Sequence, residues 1–248
     1  MSLAGLLTAI ADDPQFRQVA DLASVDGGGV VAVDGADVTA PAALRPFLAA
    51  ALTGMPGRAA RFLLAVTATA REAEELTGAL SSLLPAGSVA YFPAWETLPH
   101  ERLSPRSDTS GQRLAVLRRL AHPDPASSRT AAVTAVVTPV RALLQPMVSG
   151  LADVEPVKLA EGDTCDLDEV LTRLVDIGYT RTDLVGRRGE VAVRGGIIDV
   201  FPPAEEHPVR VELFGDVVEE TGSSAWPTSA ASGRPRTACG RRRAGNCC

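Results

Sequence analysis

The chain has 248 residues, 46% hydrophobic and 22% charged, a composition that fits a soluble globular protein and excludes collagen-like and fully disordered classes. Its net charge of −6 is uneven, because residues 221–248 hold five Arg and no acidic residue, while the other 220 residues carry 19 basic and 30 acidic side chains. Such an acidic body is a poor general-purpose nucleic-acid binder, since phosphate contacts require clustered Lys and Arg.

Strand and helix signals alternate through the first 145 residues. Short apolar runs predict buried strands at 30–34, 61–67, 88–92 and 131–138. Helical spacing predicts helices at 40–53, 69–84, 108–121 and 139–145, the second of them capped by Thr69. Alternation of this kind with apolar strands implies a parallel sheet covered on both faces. Residues 1–145 are therefore predicted to form an α/β domain of the Rossmann-like or RecA-like type.

The pattern changes after residue 150. A strand is predicted at 154–160, followed by a helix at 167–177 that Asp166 caps and Gly178 ends. Period-two runs then predict strands at 190–195, 196–202, 209–215 and 217–220, with hairpin turns at Gly195-Gly196 and Gly215-Asp216. One helix against a curled, mostly antiparallel sheet makes a small α+β domain over residues 146–220.

No phosphate-binding motif accompanies the α/β domain. A P-loop requires GxxxxGK[ST] between a strand and a helix. The glycines at 54 and 57 lie in the reverse order, between a helix and a strand, and the triplet 27–29 precedes a strand. The strands at 61–67 and 131–138 end in threonine, where a Walker-type acid would be needed. The domain is predicted to be degenerate as an ATPase.

Other catalytic, metal and targeting signals are weak. The three histidines are far apart and lie in proline-containing loops (His100, His122, His207). Three of the four cysteines fall in the last ten residues without a CxxC pair or a neighbouring His, which disfavours a zinc site. Cys165 stands among acids and is interpreted as an ordinary side chain. No signal peptide or membrane-length apolar run occurs, so we expect a cytoplasmic protein without a membrane partner.

The second domain contains the best candidate for a binding surface. On the strand at 190–195, Ala192 and Arg194 share one face, while the valines beside them point to the core. Arg194 then projects outward, and Arg181 approaches it from the loop that enters the sheet. With Phe201 nearby, this is the composition of an interface hot spot. The alternative is a solvated strand face with ordinary ion pairs.

Three segments resemble a known family. They are FPAWETLPHERLSP (92–105), GYTRTDLVGRRGEVAVRGGIIDVFPP (178–203) and VRVELFGDVVEE (209–220). Together they resemble the N-terminal part of the bacterial transcription-repair coupling factors (Mfd), a region that is similar to the excision-repair helicase subunit UvrB. The resemblance covers residues 1–220, and its motifs occur in the family's order with compatible spacing.

The resemblance implies a noncatalytic fragment that docks on UvrA. In the family, the first domain keeps a motor-domain fold without ATPase motifs, and the inserted second domain binds UvrA. The corresponding binding residues are Arg181, Arg194 and Phe201, whereas Ala192 replaces the first Arg of an Arg-x-Arg pair. No cofactor is implied for this fragment. The whole family protein is an ATP- and Mg-dependent double-stranded DNA translocase that displaces stalled RNA polymerase.

Two other function classes stay open at this point. One is a UvrB-type fragment that binds DNA or acts as a helicase in a nucleotide-dependent way. The other is an unrelated small-molecule enzyme on a Rossmann-like domain, against which the missing Gly-rich strand–turn–helix fingerprint argues. Turnover of ATP by this chain would favour the first of these.

The resemblance ends at Glu220. Residues 221–248 lack Leu, Ile, Val and Phe and have the composition of a GC-rich gene translated out of frame. We interpret them as a frameshift product that is disordered and without function; the alternative is a basic arm that binds nucleic acid. In the family a later segment returns to the first domain, so we also expect this domain to expose apolar surface.

Overall fold

The computed structural model describes residues 7, 10, 12–22, 37–53, 61–97, 104–123, 132–223 and 246–247. Their contacts divide the chain into two compact units. The first comprises Met1–Trp95 and Val116–Ala152, and the second comprises Glu96–Ala115 and Asp153–Cys248. The domain boundary predicted from the sequence is 145/146, which places residues 96–115 in the first domain, whereas the contacts group these residues with the second unit.

The first unit contains a three-stranded parallel sheet. Its strands are β1 (Leu63–Thr67), β2 (Val89–Tyr91) and β3 (Ala135–Pro139), in the order β1-β3-β2. The helices of this part of the chain are α1 (Pro14–Leu22), α2 (Arg45–Thr53, after a 3₁₀ turn at Ala42–Leu44), α3 (Ala70–Leu83), α4 (Ser107–Ala121) and α5 (Val140–Leu144). The predicted α/β class is confirmed. The predicted strand at 30–34 and the two glycine clusters lie outside the described residues.

Adjacent residues of β3 show how the sheet is covered on both faces. Val137 packs with Ala73 and Leu80 of α3, whereas Val136 packs with Val116 of α4 and Ala142 of α5. Successive side chains of a strand point to opposite faces, so α3 covers one face, and α5 with the end of α4 covers the other. All five residues of β3 are buried, as expected for the central strand of a parallel sheet.

Local side-chain signals set the start of α3. The Thr69 hydroxyl accepts a hydrogen bond from the Glu72 backbone N–H, and the Glu72 carboxylate accepts one from the Thr69 N–H. This capping box satisfies two backbone donors that the first helical turn leaves without partners. The predicted cap at Thr69 is therefore confirmed.

The edge strand β1 and the residue before it expose an apolar stripe, which we define as Phe62, Leu64 and Val66. These side chains are 55%, 49% and 47% exposed. Leu64 lies opposite Val136 in the parallel register, and such partners point to the same face of the sheet. The stripe therefore lies on the face that α4 and α5 cover. These helices cover β2 and β3 on this face and leave β1 exposed. The first unit thus exposes contiguous apolar surface along one strand.

The second unit is built on a five-stranded sheet. Its strands are β5 (Thr180–Arg181), β6 (Glu190–Arg194), β7 (Ile197–Val200), β8 (Val209–Phe214) and β9 (Val217–Ser223), in that order; β4 (Val157–Lys158) precedes them in the chain. Only the β5–β6 pair is parallel. The two predicted hairpin turns are confirmed, with φ of +59° at Gly195 and +63° at Gly215.

Helix α6 (Leu167–Asp176) packs its apolar side against one face of this sheet. The core contains Val170, Leu171 and Leu174 of the helix together with valines and an isoleucine from β6 to β9. Asp166 caps the helix by accepting from two backbone N–H groups. At the other end Gly178 has φ +103° and donates to Val175, while Tyr179 donates to Leu174, which together form a Schellman motif.

The end of the sheet differs from the sequence-based boundary. Strand β9 continues to Ser223, three residues beyond the predicted domain end, and Asn246–Cys247 (β10) pairs antiparallel with β4. Strand pairing uses backbone groups, so it does not require family-like side chains. The prediction of disorder from residue 221 therefore does not hold for these five residues. No helix within the described ranges is long and apolar enough to cross a bilayer.

Residues 96–115 belong to the second unit because the first part of α4 packs tightly there. A Cβ atom on Gly111 would overlap the Pro203 ring, and one on Gly189 would lie 2.9 Å from the Ser107 hydroxyl oxygen. The Glu96 carboxylate accepts hydrogen bonds from the Thr109 hydroxyl and from the Arg106 N–H. Burial by itself raises the pKa of Glu96, but these hydrogen bonds outweigh it and hold the pKa below its ordinary value.

We expect Leu64→Thr/Val66→Thr to reduce self-association of the chain without lowering its urea midpoint. Both side chains are half-exposed, so little buried apolar area is lost, and threonine retains β-branching. Light scattering against concentration measures the first effect. The matched control is Val136→Thr on the neighbouring strand, which buries a hydroxyl and should cost on the order of 1–3 kcal/mol. Unchanged scattering of the double variant would contradict the expectation.

We expect Glu96→Gln to destabilise the second unit at neutral pH by less than about 1 kcal/mol, because a charged acceptor is lost at an exposed position where water screens the interaction. Since the pKa of Glu96 is lower in the folded chain, its contribution is fully present above the ordinary glutamate pKa and is lost as the pH falls through the folded-state value. Urea unfolding of both proteins over a pH series tests this. A difference that stays constant down to the lowest pH would refute it.

Candidate partner-binding site

Strand β6 positions the predicted binding residues by simple alternation. Val191 and Val193 pack in the core with α6, while Ala192 and Arg194 lie on the opposite face. Ala192 is buried and Arg194 is exposed at the end of the strand. The Arg194 Nε donates to the Asp183 carbonyl oxygen at 3.2 Å. The sidedness predicted for this strand is therefore confirmed.

Arg181 occupies a different face from Arg194. Its Cα partner in the parallel β5–β6 register is Val191, whose side chain is in the core. Parallel partners share a face, so Arg181 is exposed on the α6 side, at the edge of the sheet. The two arginines are also three residues apart along β6, about 10 Å in strand length. The structure does not bring them together in the way the sequence suggested.

Phe201 lies at the other end of β6 from Arg194. Its N–H donates to the Glu190 carbonyl at 2.9 Å, and its carbonyl accepts from Gly189 at 2.7 Å. The Arg188 guanidinium stands over the half-buried ring, 5.5 Å from the centroid, and its Nε donates to the Glu205 carbonyl at 2.9 Å. The contact is a cation–π pair. The structure therefore groups Phe201 with Arg188 rather than with Arg194.

The loop at 186–189 connects this group to the β5 edge. The Thr180 N–H donates to the Gly189 carbonyl at 2.8 Å, so the loop ends beside the first residue of β5. One carboxylate oxygen of Glu190 accepts from the N–H groups of Gly186 and Arg187, at 2.7 and 2.8 Å. Sequence reasoning missed the roles of Arg188 and Glu190. The sequence GRRGE (186–190) could have indicated them, since an acid directly after a glycine-flanked turn is close enough to bind the backbone N–H groups of that turn.

An ion pair between the buried Asp199 and the half-exposed Arg210 lies on the same face of the sheet as Arg194. Asp199 is 9% exposed and accepts two hydrogen bonds from the Arg210 guanidinium, at 2.8 and 2.9 Å. The residues are direct cross-strand partners on β7 and β8, and the Asp199 carboxylate raises the pKa of Arg210. A bidentate pair of this kind is rigid. It fixes the surface beside Ala192, which is the partner of Asp199 on β6.

The histidines, Cys165 and the strand-end threonines form no catalytic or metal site among the described residues. His122 and His207 are exposed, and His100 lies outside the described residues. Burial, followed by the charges of three nearby aspartates, raises the pKa of Cys165, which agrees with its interpretation as an ordinary thiol. Among the described residues no three His, Cys, Asp or Glu side chains could hold a metal ion together. The hydroxyls of Thr67 and Thr138, at the strand ends of the first unit, donate to backbone carbonyls.

Part of the second unit matches a known protein family. Residues 157–226 match the family described as the UvrB interaction domain. These residues include α6 and all five strands of the sheet that carries the arginines. The second unit thus contains a UvrB interaction domain, and the first unit is a parallel-sheet α/β unit.

The particular relatives are transcription-repair coupling factors. The chain is 49% identical to that of Mycobacterium tuberculosis over 218 residues, which are 88% of this chain and 17% of the relative. It is 33% identical to that of Bacillus subtilis over 158 residues, 64% of this chain and 13% of the relative. The UvrABC system protein B of Streptomyces avermitilis is 36% identical over 157 residues, 59% of this chain and 21% of that protein. The resemblance to the UvrB-like region of the coupling factors is confirmed, and the chain spans about a sixth of their length.

We expect Asp199→Asn to lower the free energy of unfolding of the second unit by about 1–3 kcal/mol, because the amide accepts at most one of the two Arg210 hydrogen bonds in a buried position. Urea denaturation measures the change. Glu155→Gln provides a control, since it removes the charge from the exposed Arg173–Glu155 pair, and exposed pairs contribute about 0–1 kcal/mol. Equal losses in the two variants would contradict the assigned difference.

Proposed function

We propose that this chain is the UvrA-binding module of a transcription-repair coupling factor, acting in transcription-coupled nucleotide excision repair in the bacterial cytoplasm. One observation carries the proposal: the sheet of a UvrB interaction domain exposes Arg181 on its edge strand β5 and Arg194 at the end of β6, while Phe201 lies at the start of β6 under an arginine. Arg and aromatic side chains dominate the energetics of protein interfaces. Arg181, Arg194 and Phe201 are the proposed contact residues.

The proposed module is noncatalytic. Its sequence contains no GxxxxGK[ST] motif. At the ends of β1 and β3, where a nucleotide-binding unit would place an acid for Mg²⁺, threonines bond to backbone carbonyls. ATP and Mg use, translocation on double-stranded DNA and displacement of RNA polymerase are assigned to the remainder of the longer protein. A UvrB-type, nucleotide-dependent DNA-binding activity is the competing function, and the similarity to UvrABC system protein B supports it only at the level of sequence.

The proposal is tested by measuring the affinity of UvrA in two separate titrations, one with the unchanged chain and one with an Arg181→Ala/Arg194→Ala double variant. We expect the double variant to bind at least about tenfold more weakly, which corresponds to loss of about 1.4 kcal/mol of binding free energy. Arg71→Ala is the control, because Arg71 is 87% exposed on α3 of the first unit.

The single variants add a further distinction. Because the two arginines lie on different faces of the sheet, the larger loss identifies which face UvrA covers. Equal affinities of the chain and the double variant would refute the assigned surface. Nucleotide-dependent DNA binding by the chain would support the UvrB-type function in its place.

A further inference from the structure

The segment that carries the candidate site is positively charged within an acidic chain. Residues 178–194 contain four arginines and only two acids, whereas the whole chain has a net charge of −6. One of those acids, Glu190, directs its carboxylate to the backbone N–H groups of Gly186 and Arg187. The arginines of this segment are therefore balanced by few carboxylates of their own.

Backbone hydrogen bonds and a close approach restrain the loop at 186–189. Besides the two hydrogen bonds to the Glu190 carboxylate, the Glu190 N–H donates to the Arg187 carbonyl at 3.2 Å. Gly189 has φ +84° and lies against Ser107 of α4, where a side chain would collide with the hydroxyl. A loop ordered in advance loses less conformational entropy when a partner binds.

The two arginines of this loop have different environments. Arg188 is engaged with the Phe201 ring and the Glu205 carbonyl. Arg187 is exposed, and its guanidinium has no hydrogen bond or ion pair within the described part of the chain. The fold thus fixes the backbone of Arg187 while its charged group faces solvent at the β5 edge.

We propose that Arg187 is a further contact residue of the UvrA-binding surface, that it pairs with a carboxylate of UvrA, and that Glu190 is the positioning residue that holds the loop. The proposal rests on the proposed function above. A guanidinium in a preformed loop matches a carboxylate partner in charge and geometry. Arg187 thereby extends the candidate site beyond the three residues that the sequence suggested.

The first test measures UvrA affinity of Arg187→Ala and Arg187→Glu at low and high salt, with Arg71→Glu as the matched control. We expect about a threefold to tenfold loss for the alanine variant and a larger loss for charge reversal, both smaller at high salt because screening weakens the pair. The control should bind like the unchanged chain. If both Arg187 variants bind as tightly as the control, the proposal is overturned, while binding that still depends on Arg181 or Arg194 leaves the proposed function intact. No binding by the unchanged chain would overturn both.

The second test separates positioning from charge. Glu190→Ala makes the segment more positive, so a purely electrostatic role of the loop predicts tighter binding to UvrA. Loss of the two backbone hydrogen bonds predicts weaker binding, faster trypsin cleavage after Arg187 or Arg188, and partial rescue by Glu190→Gln, which keeps one acceptor oxygen. Urea unfolding confirms that the variants are folded. Tighter binding of both Glu190 variants would overturn the positioning role.

Discussion

The packing of β6 against α6 is the constraint on which the candidate site depends. Val191 and Val193 are core residues, so the register of β6 cannot shift by one residue without burying Arg194 and exposing both valines. The same constraint acts on the neighbouring strand, because the pairing of Arg181 with Val191 fixes the face of the sheet on which Arg181 lies. The positions of both arginines therefore follow from the hydrophobic core rather than from any interaction between the arginines themselves.

Several carboxylates of this acidic chain bind backbone donors. Glu72 completes the capping box of α3, Asp166 caps α6, and Glu190 holds the loop at 186–189. Each of these carboxylates accepts hydrogen bonds from backbone N–H groups that would otherwise lack partners. Asp199 differs, since its buried carboxylate binds the half-exposed guanidinium of Arg210 instead of backbone groups. An acidic body can thus present arginines at one edge, because many of its acids serve the backbone locally.

Sequence alone predicted the features that depend on neighbouring residues. The caps at Thr69 and Asp166, both hairpin turns and the inward valines of β6 are read from short-range patterns. Features set by distant contacts were missed. The assignment of residues 96–115 to the second unit depends on Gly111 meeting Pro203, and the side of Arg181 depends on a two-residue parallel pairing that no local pattern encodes. Alternation predicted the exposed face of Arg194, but the grouping of Phe201 with Arg188 depends on the backbone hydrogen bonds between Gly189 and Phe201, which no local pattern encodes.

The close approach at Gly111 has a consequence for how the chain tolerates sequence change. Two helical glycines, Gly78 in α3 and Gly111 in α4, carry the same intrinsic helix penalty of about 1 kcal/mol relative to alanine. Around Gly78 there is open space, so most residues fit there and alanine should improve the helix. At Gly111 the first side-chain carbon already meets the Pro203 ring. A mutational scan should therefore accept nearly any residue at position 78 and almost none at position 111, although local propensity ranks the two sites as equal.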